Sequence, residues 1–230
     1  MGKKLKLACL GDSMVAFWGK DMPELRDRLE SGFPGHAFEL FNFGVSGTRS
    51  EYGIYRVTHE YPDPFGSGSH PCLSAVSPDI VIVESFAYNH RLDGMHRIGH
   101  YKQTLGRLVD VIKETTPAKL LFMVTIPPDK ETFLENAPVY REVALDLRQE
   151  WGEYSEKYLL AAIDFAKERQ IPLINVFERV RGLVASGTPL QWFIDQNDHI
   201  HPSRYAYDWI AREIVDALKK YQVIGDQFEG

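Results

Sequence analysis

The chain has 230 residues, 44% of them hydrophobic and 25% charged, proportions that exclude a disordered or low-complexity chain. Its formal net charge is -6 and Lys and Arg never run longer than pairs, which argues against nucleic acid or an anionic membrane surface as the main partner. No apolar stretch approaches the roughly 20 residues that a membrane helix needs.

At the N-terminus a basic start is followed by an apolar run that ends at Gly11 and Asp12. A secretory signal needs about 7–15 apolar residues and a small-residue cleavage site, and neither is present. Gly2 suggests myristoylation, but Lys6 stands where that signal wants Ser or Thr. The two cysteines, Cys9 and Cys72, form no CxxC and no Cys/His ligand spacing. Cys9 sits in an apolar run and reads as a buried strand residue; Cys72 falls in a loop. The expectation is a reducing, cytoplasmic compartment.

Short apolar runs at 5–10, 38–43, 79–85, 119–126 and 172–177 are rich in Val, Ile, Leu and Phe. Several are apolar on both faces, as strands covered on both sides must be. Helical period separates them. Leu105, Leu108, Val109 and Ile112 follow an i, i+3, i+4, i+7 pattern. A long segment over 139–170 places Val143, Leu147, Trp151, Tyr154 and Tyr158 along one face. The last helix starts after Pro202, with Ser203 near its cap, and groups Ile210, Ile214 and Leu218. This alternation predicts one α/β domain over residues 1–230, a mainly parallel sheet flanked by helices. Two segments resist it. Residues 59–78 hold four prolines and a Gly-Ser-Gly-Ser tract, excluding a regular helix or central strand. Residues 127–138 are equally irregular and follow a strand, where ligands of parallel sheets bind.

Four short motifs carry chemistry. Gly11-Asp12-Ser13-Met14 closes the first run, where a serine hydroxyl can face a pocket beside backbone N–H donors; the alternative is a turn with Ser13 as helix cap. Asn42-Phe43-Gly44-Val45-Ser46-Gly47-Thr48 closes the second, its glycines permitting close backbone approach to a ligand or simply making a turn. Glu84-Ser85-Phe86-Ala87-Tyr88-Asn89-His90 follows the third, and Asn89 can aim an amide at a developing oxyanion or bond its own loop. Asp195-Gln196-Asn197-Asp198-His199-Ile200-His201-Pro202 precedes the last helix; Asp198 and His201, three apart, suit a carboxylate that orients an imidazole base, or a polar helix start. A metal reading of His199 with His201, or of His96 with His100, lacks a further ligand cluster in sequence.

In this order the motifs resemble those of the GDSL, or SGNH, hydrolase family, from Gly11 to about Trp209. The resemblance implies a three-layer α/β/α sandwich of flavodoxin-like character. It implies Ser13 as nucleophile, with Asp198 and His201 completing the triad. An oxyanion hole follows from Ser13, Gly47 and Asn89. The motifs depart from the family pattern in Met14, where Leu is usual, and in Ala87-Tyr88-Asn89-His90, where Gly-x-Asn-Asp is common. Asp195 competes with Asp198, but only Asp198 has the family spacing to His201.

The implied activity is hydrolysis of carboxylic esters, of short acetyl type, with no cofactor and no metal. The alternatives are a non-catalytic ligand-binding module of the same fold, or an acyltransferase, thioesterase or lysophospholipase. The expected partner is a small-molecule ester substrate, with neither nucleic acid nor membrane, and a homo-oligomer is left open. Trp18, Phe65, Phe86, Tyr88 and Phe133 are expected near the site, as sugar-stacking or acyl-lining aromatics or as core. Arg49, His90 and Arg91 flank the oxyanion segments, where they can meet an anionic or polyhydroxylated substrate.

Overall fold

A computed structural model describes residues 4–224. Strand β1 (Leu5–Gly11) runs into a single helical turn, α1 (Ser13–Ala16), then α2 (Pro23–Gly32) and β2 (Phe38–Gly44). Next come α3 (Ser50–Thr58), β3 (Tyr61–Pro62), β4 (Ser69–His70), α4 (Leu73–Val76) and β5 (Ile80–Glu84). A short α5 (Ala87–His90) precedes α6 (Ile98–Thr115), β6 (Lys119–Val124) and α7 (Leu145–Glu168). The chain closes with β7 (Leu173–Asn175), α8 (Val176–Ala185) and α9 (Arg204–Lys220).

The five long apolar runs are the five strands of one parallel sheet, ordered β2-β1-β5-β6-β7. Alternation along each strand sorts side chains to opposite faces. Leu7, Cys9, Ile80, Ile82, Leu121 and Met123 pack with Leu25, Leu29, Ile210 and Ile214 of α2 and α9. Ala8, Leu10, Val81, Val83, Phe122 and Val124 pack with Val57, Leu105, Leu108 and Leu159 of α3, α6 and α7. Both faces are therefore covered, which is why the strands read as continuous apolar runs. The connection after β1 runs outward to β2 and the one after β5 runs the other way to β6, so the carboxyl ends of β1 and β5 flank the topological switch point.

Three expectations are corrected. The segment 59–78 holds a two-residue antiparallel pairing of β3 with β4 and one turn of helix, α4, as its prolines permit short elements only. Helix α7 begins at Leu145, after a 3-10 turn at Pro138–Tyr140, so Val143 lies outside it. Its buried side carries Ser155, Tyr158, Leu159, Ala162, Phe165 and Ala166, while Leu147 stands exposed: the longer apolar residues ahead of Trp151 are not core. Helix α9 keeps the expected start, with Ser203 Oγ accepting from the Ala206 N–H at 3.1 Å.

Candidate active site

Asp12, not Ser13, caps α1: its Oδ1 accepts from the Met14 N–H at 2.8 Å. Ser13 is thus the first helical residue, whose N–H has no partner within the helix. Its side chain lines a cavity of about 280 Å³ at the carboxyl end of the sheet. Gly47, Asn89, Asp198 and His201 line the same cavity, so five residues from four separate segments converge there.

Sequence-distant contacts hold the turn below Ser13. Asn42 donates its amide to Val15 O at 2.9 Å and Gly19 O at 2.8 Å, while its Oδ1 accepts from the Gly44 N–H at 2.7 Å. A Cβ on Gly44 would come within 2.2 Å of the Ala16 backbone nitrogen, so this glycine serves the approach of β2 to α1, not a ligand. Gly47 has φ of +71° with open space around it; its conformation, not room, demands glycine. Arg56, fully buried on α3, donates to Gly11 O at 3.0 Å and to Phe43 O, capping the ends of β1 and β2. Burial lowers its pKa to about 10, which leaves it charged at neutral pH. An Arg among apolar helix residues was the only sequence signal for this role, and Asn42 gave none beyond its place in the second motif.

His201 Nδ1 donates to Asp198 Oδ2 at 2.5 Å. With Nδ1 so occupied, Nε2 is the nitrogen left for a proton transfer. Asp198 Oδ1 accepts the N–H groups of Ile200 and His201, both at 3.0 Å. Burial raises the Asp198 pKa, but the His201 hydrogen bond and these backbone donors outweigh it, and the carboxyl lies below its usual value. His199, at φ of +55°, takes the left-handed turn that brings Asp198 back over its own following N–H groups. Asp195 instead accepts from the backbone and side chain of Asn197 at 2.9 and 2.8 Å, which removes it as the imidazole's partner. Phe17 stacks on His201 with ring centroids 3.7 Å apart and planes 12° from parallel.

Asn89 donates its side-chain amide to Asp12 Oδ2 at 2.6 Å. The amide nitrogen carries two hydrogens, so one remains for the cavity. Beneath them Glu84 is fully buried, accepting from Ser85 Oγ at 2.7 Å and the Phe86 N–H at 2.8 Å. Burial, then the nearby Asp12 charge, pushes its carboxyl well above the usual range.

His90 is sealed from the cavity. Its Nδ1 donates to Asp93 Oδ2 at 2.7 Å, and Nε2 meets Ser50 Oγ at 2.9 Å and the Ser50 N–H at 3.4 Å. The Ser50 N–H aimed at Nε2 favours a lone pair there, and burial lowers the pKa of the ring, against the pull of Asp93. Arg49 pairs with Asp93 at 3.0 Å and donates to Asn89 O at 3.3 Å. Together these bonds clamp the Gly47 segment and α3 to the Asn89 turn.

Of the expected aromatics only Tyr88 lines the cavity; Trp18, Phe86 and Phe133 are core and Phe65 lies in the β3–β4 connection. Phe17 and Tyr140 line it instead, with Leu134, Ala137 and Pro138 from the irregular segment after β6. A larger groove of about 760 Å³ between α6 and α7 is walled by ion-paired side chains such as Lys102–Glu168 and Arg169–Asp110. Among the described residues no group of three or more His, Cys, Asp or Glu side chains converges at metal-binding range, and no helix is long and apolar enough to cross a membrane.

A flavodoxin-like parallel sheet with a Ser and an Asp–His pair at its carboxyl edge defines the SGNH class of α/β proteins. The chain belongs to the GDSL-like lipase/acylhydrolase family, whose pattern matches residues 7–214. It is 23% identical to a GDSL esterase/lipase of Arabidopsis thaliana, over 94% of this chain and 86% of that protein. The fold is shared with a lipase/acylhydrolase from Enterococcus faecalis, at a TM-score of 0.69 and 16% identity over 94% of this chain and 96% of that one. It is shared also with a catalytic mutant of Axe2, an acetylxylan esterase from Geobacillus stearothermophilus, at 0.64 and 17% over 95% of each.

Proposed function

We propose that the protein is a serine hydrolase that cleaves carboxylic esters of short acyl groups through an acyl-enzyme on Ser13. The observation that carries this reading is the 2.5 Å Asp198–His201 hydrogen bond in the cavity that Ser13 lines. His201 Nε2 takes the Ser13 proton as Oγ attacks the ester carbonyl, and Asp198 holds the tautomer and stabilises the imidazolium. The N–H groups of Ser13 and Gly47 and the free amide hydrogen of Asn89 receive the oxyanion. Collapse releases the alcohol, protonated by His201. Water, activated by the same imidazole, then frees the acid and restores Ser13.

A cavity of about 280 Å³ with an apolar wall of Leu134, Ala137, Pro138 and Ile200 supports a short acyl group over a long chain. Membership of an acylhydrolase family and a fold shared with an acetylxylan esterase support the same class.

The test is turnover of p-nitrophenyl esters from acetyl to dodecanoyl by wild type and Ser13→Ala. Wild-type turnover of acetyl and butyryl esters, lost in the variant, is the expected result. Inert protein with Ser13 unlabelled by a fluorophosphonate overturns the reading in favour of a binding module.

A further inference from the structure

The proposed mechanism leaves the buried cation of the cavity unused. Arg91 is 2% exposed, lines the cavity and is, among the described residues, the only Lys or Arg that does so. Its guanidinium donates to Tyr88 O and, at 3.1 Å, to Tyr140 Oη, and both tyrosines line the cavity too. The rings of Phe133, Tyr140 and Trp151 stand 5.8, 5.4 and 5.7 Å from its Cζ. Ring faces offset part of the cost of burying a charge, but they do not neutralise it. Arg28, Arg49, Arg169 and Arg179 each pair with a carboxylate, whereas among the described residues Arg91 has none. Its Nε–H is also buried without a hydrogen-bond partner.

Arg56, the other fully buried arginine, lies outside the cavity and is committed to the strand-end carbonyls. The carboxylates nearest the reaction are committed as well. Asp12 accepts from Met14 and Asn89, and Asp198 from His201, Ile200 and its own loop. The cavity therefore offers one poorly solvated positive charge that no carboxylate touches, with the Asp12 charge acting on it only from a distance, beside a short apolar wall.

We propose that the ester taken by this site carries an anionic group, carboxylate in class, which Arg91 recognises. The inference rests on the esterase reading. Such a group sits either on the acyl part, as in a half-ester of a short dicarboxylic acid, or on the alcohol, as in an acylated hydroxy acid.

Two matched pairs separate these sources: 1-naphthyl hemisuccinate against 1-naphthyl butyrate, and 4-acetoxybenzoate against 4-acetoxybenzamide. Each kcat/KM is divided by that ester's hydroxide-catalysed rate. The expected result is a wild-type preference for the anionic member of one pair of at least about tenfold, the order of one charge-assisted hydrogen bond. In Arg91→Met and Arg91→Gln that ratio, taken within each variant so that any general loss cancels, falls towards one. A wild-type ratio near one in both pairs overturns the proposal, as does a preference that survives in the variants. Should the variants fail to fold, wild-type inhibition decides: succinate or 4-hydroxybenzoate must inhibit more strongly than butyramide or 4-hydroxybenzamide. Four inert esters and an unlabelled Ser13 would instead bring down the esterase reading and the proposal with it.

Discussion

The side chains of Asn89 and Asp12 are joined by a 2.6 Å hydrogen bond, so the residue before the candidate nucleophile orients an amide carried by α5, after the neighbouring strand β5. The two motifs are mechanically one unit, although 77 residues separate them. Removing an oxyanion donor costs about 10²–10³ in kcat, and Asn89→Ala is expected in that range with KM little changed. Asp12→Asn keeps the donor but loses its orientation, so its loss in kcat should be smaller. The double variant should be no worse than Asn89→Ala alone, because both remove the same interaction. Steady-state kinetics of the three proteins check this, and additive losses would contradict it.

Glu84 supplies a pH test of stability. Burial and the Asp12 charge raise its folded pKa above the ordinary Glu value. Its contribution is complete below about 4.3, the unfolded value, and is lost as pH rises through the folded pKa. Glu84→Gln stays neutral throughout. The variant should therefore gain Tm relative to wild type between pH 4 and pH 8, and a constant difference would disprove the assignment.

His90 has the opposite sign. Burial depresses its pKa, so its contribution is present above about 6.5 and is lost as pH falls from there towards the folded pKa. Its field includes Asp93 at 2.7 Å, Glu51 at 3.9 Å and Arg49 through Asp93. His90→Gln can satisfy Ser50 or Asp93 but not both, at a cost of about 1–3 kcal/mol. Denaturant titrations at pH 5 and pH 7.5 should show a smaller difference in the variant than in wild type.

Gly47→Ala meets no neighbour, since nothing lies within 4 Å of the added carbon. Only the left-handed backbone opposes it, worth about 1–2 kcal/mol. The expected outcome is a folded protein with a lower Tm and a reduced kcat, as the strained segment swings its N–H away from the cavity. An unchanged kcat would remove Gly47 from the proposed oxyanion hole.

Cys9, buried in β1, has its thiol pushed up to about 12 by burial alone. A thiol-reactive disulfide should leave it unmodified in the native protein and titrate it only in denaturant.

The strands were legible because a sheet covered on both faces imposes unbroken apolar runs, and each run predicted a strand. The start of α7 was not. Val139, Val143 and Leu147 keep a four-residue spacing, yet Val139 is 86% exposed at the cavity mouth and the helix begins later. Spacing reports which residues share a helix face, not whether anything packs against it. At the site, Asp198 and His201 are local in sequence and could be paired from spacing alone. Phe17 on His201, Arg56 on two strand ends and Tyr140 on Arg91 depend on segments meeting across the sheet, which no local pattern encodes. Tyr88 and Phe86 share the turn after β5, and of the two only Tyr88 lines the cavity.

The candidate site also joins segments that lie far apart in the sequence. Ser13 follows the first strand, while His201 stands just before the last helix, whose Tyr207 donates to Met14 O at 3.2 Å across 193 residues. A nascent chain thus exposes Ser13 long before His201, its proposed base, has been synthesised. On the proposed mechanism, the growing polypeptide holds an unarmed hydroxyl until α9 docks. Loss of that C-terminal helix should silence the serine even where the sheet persists.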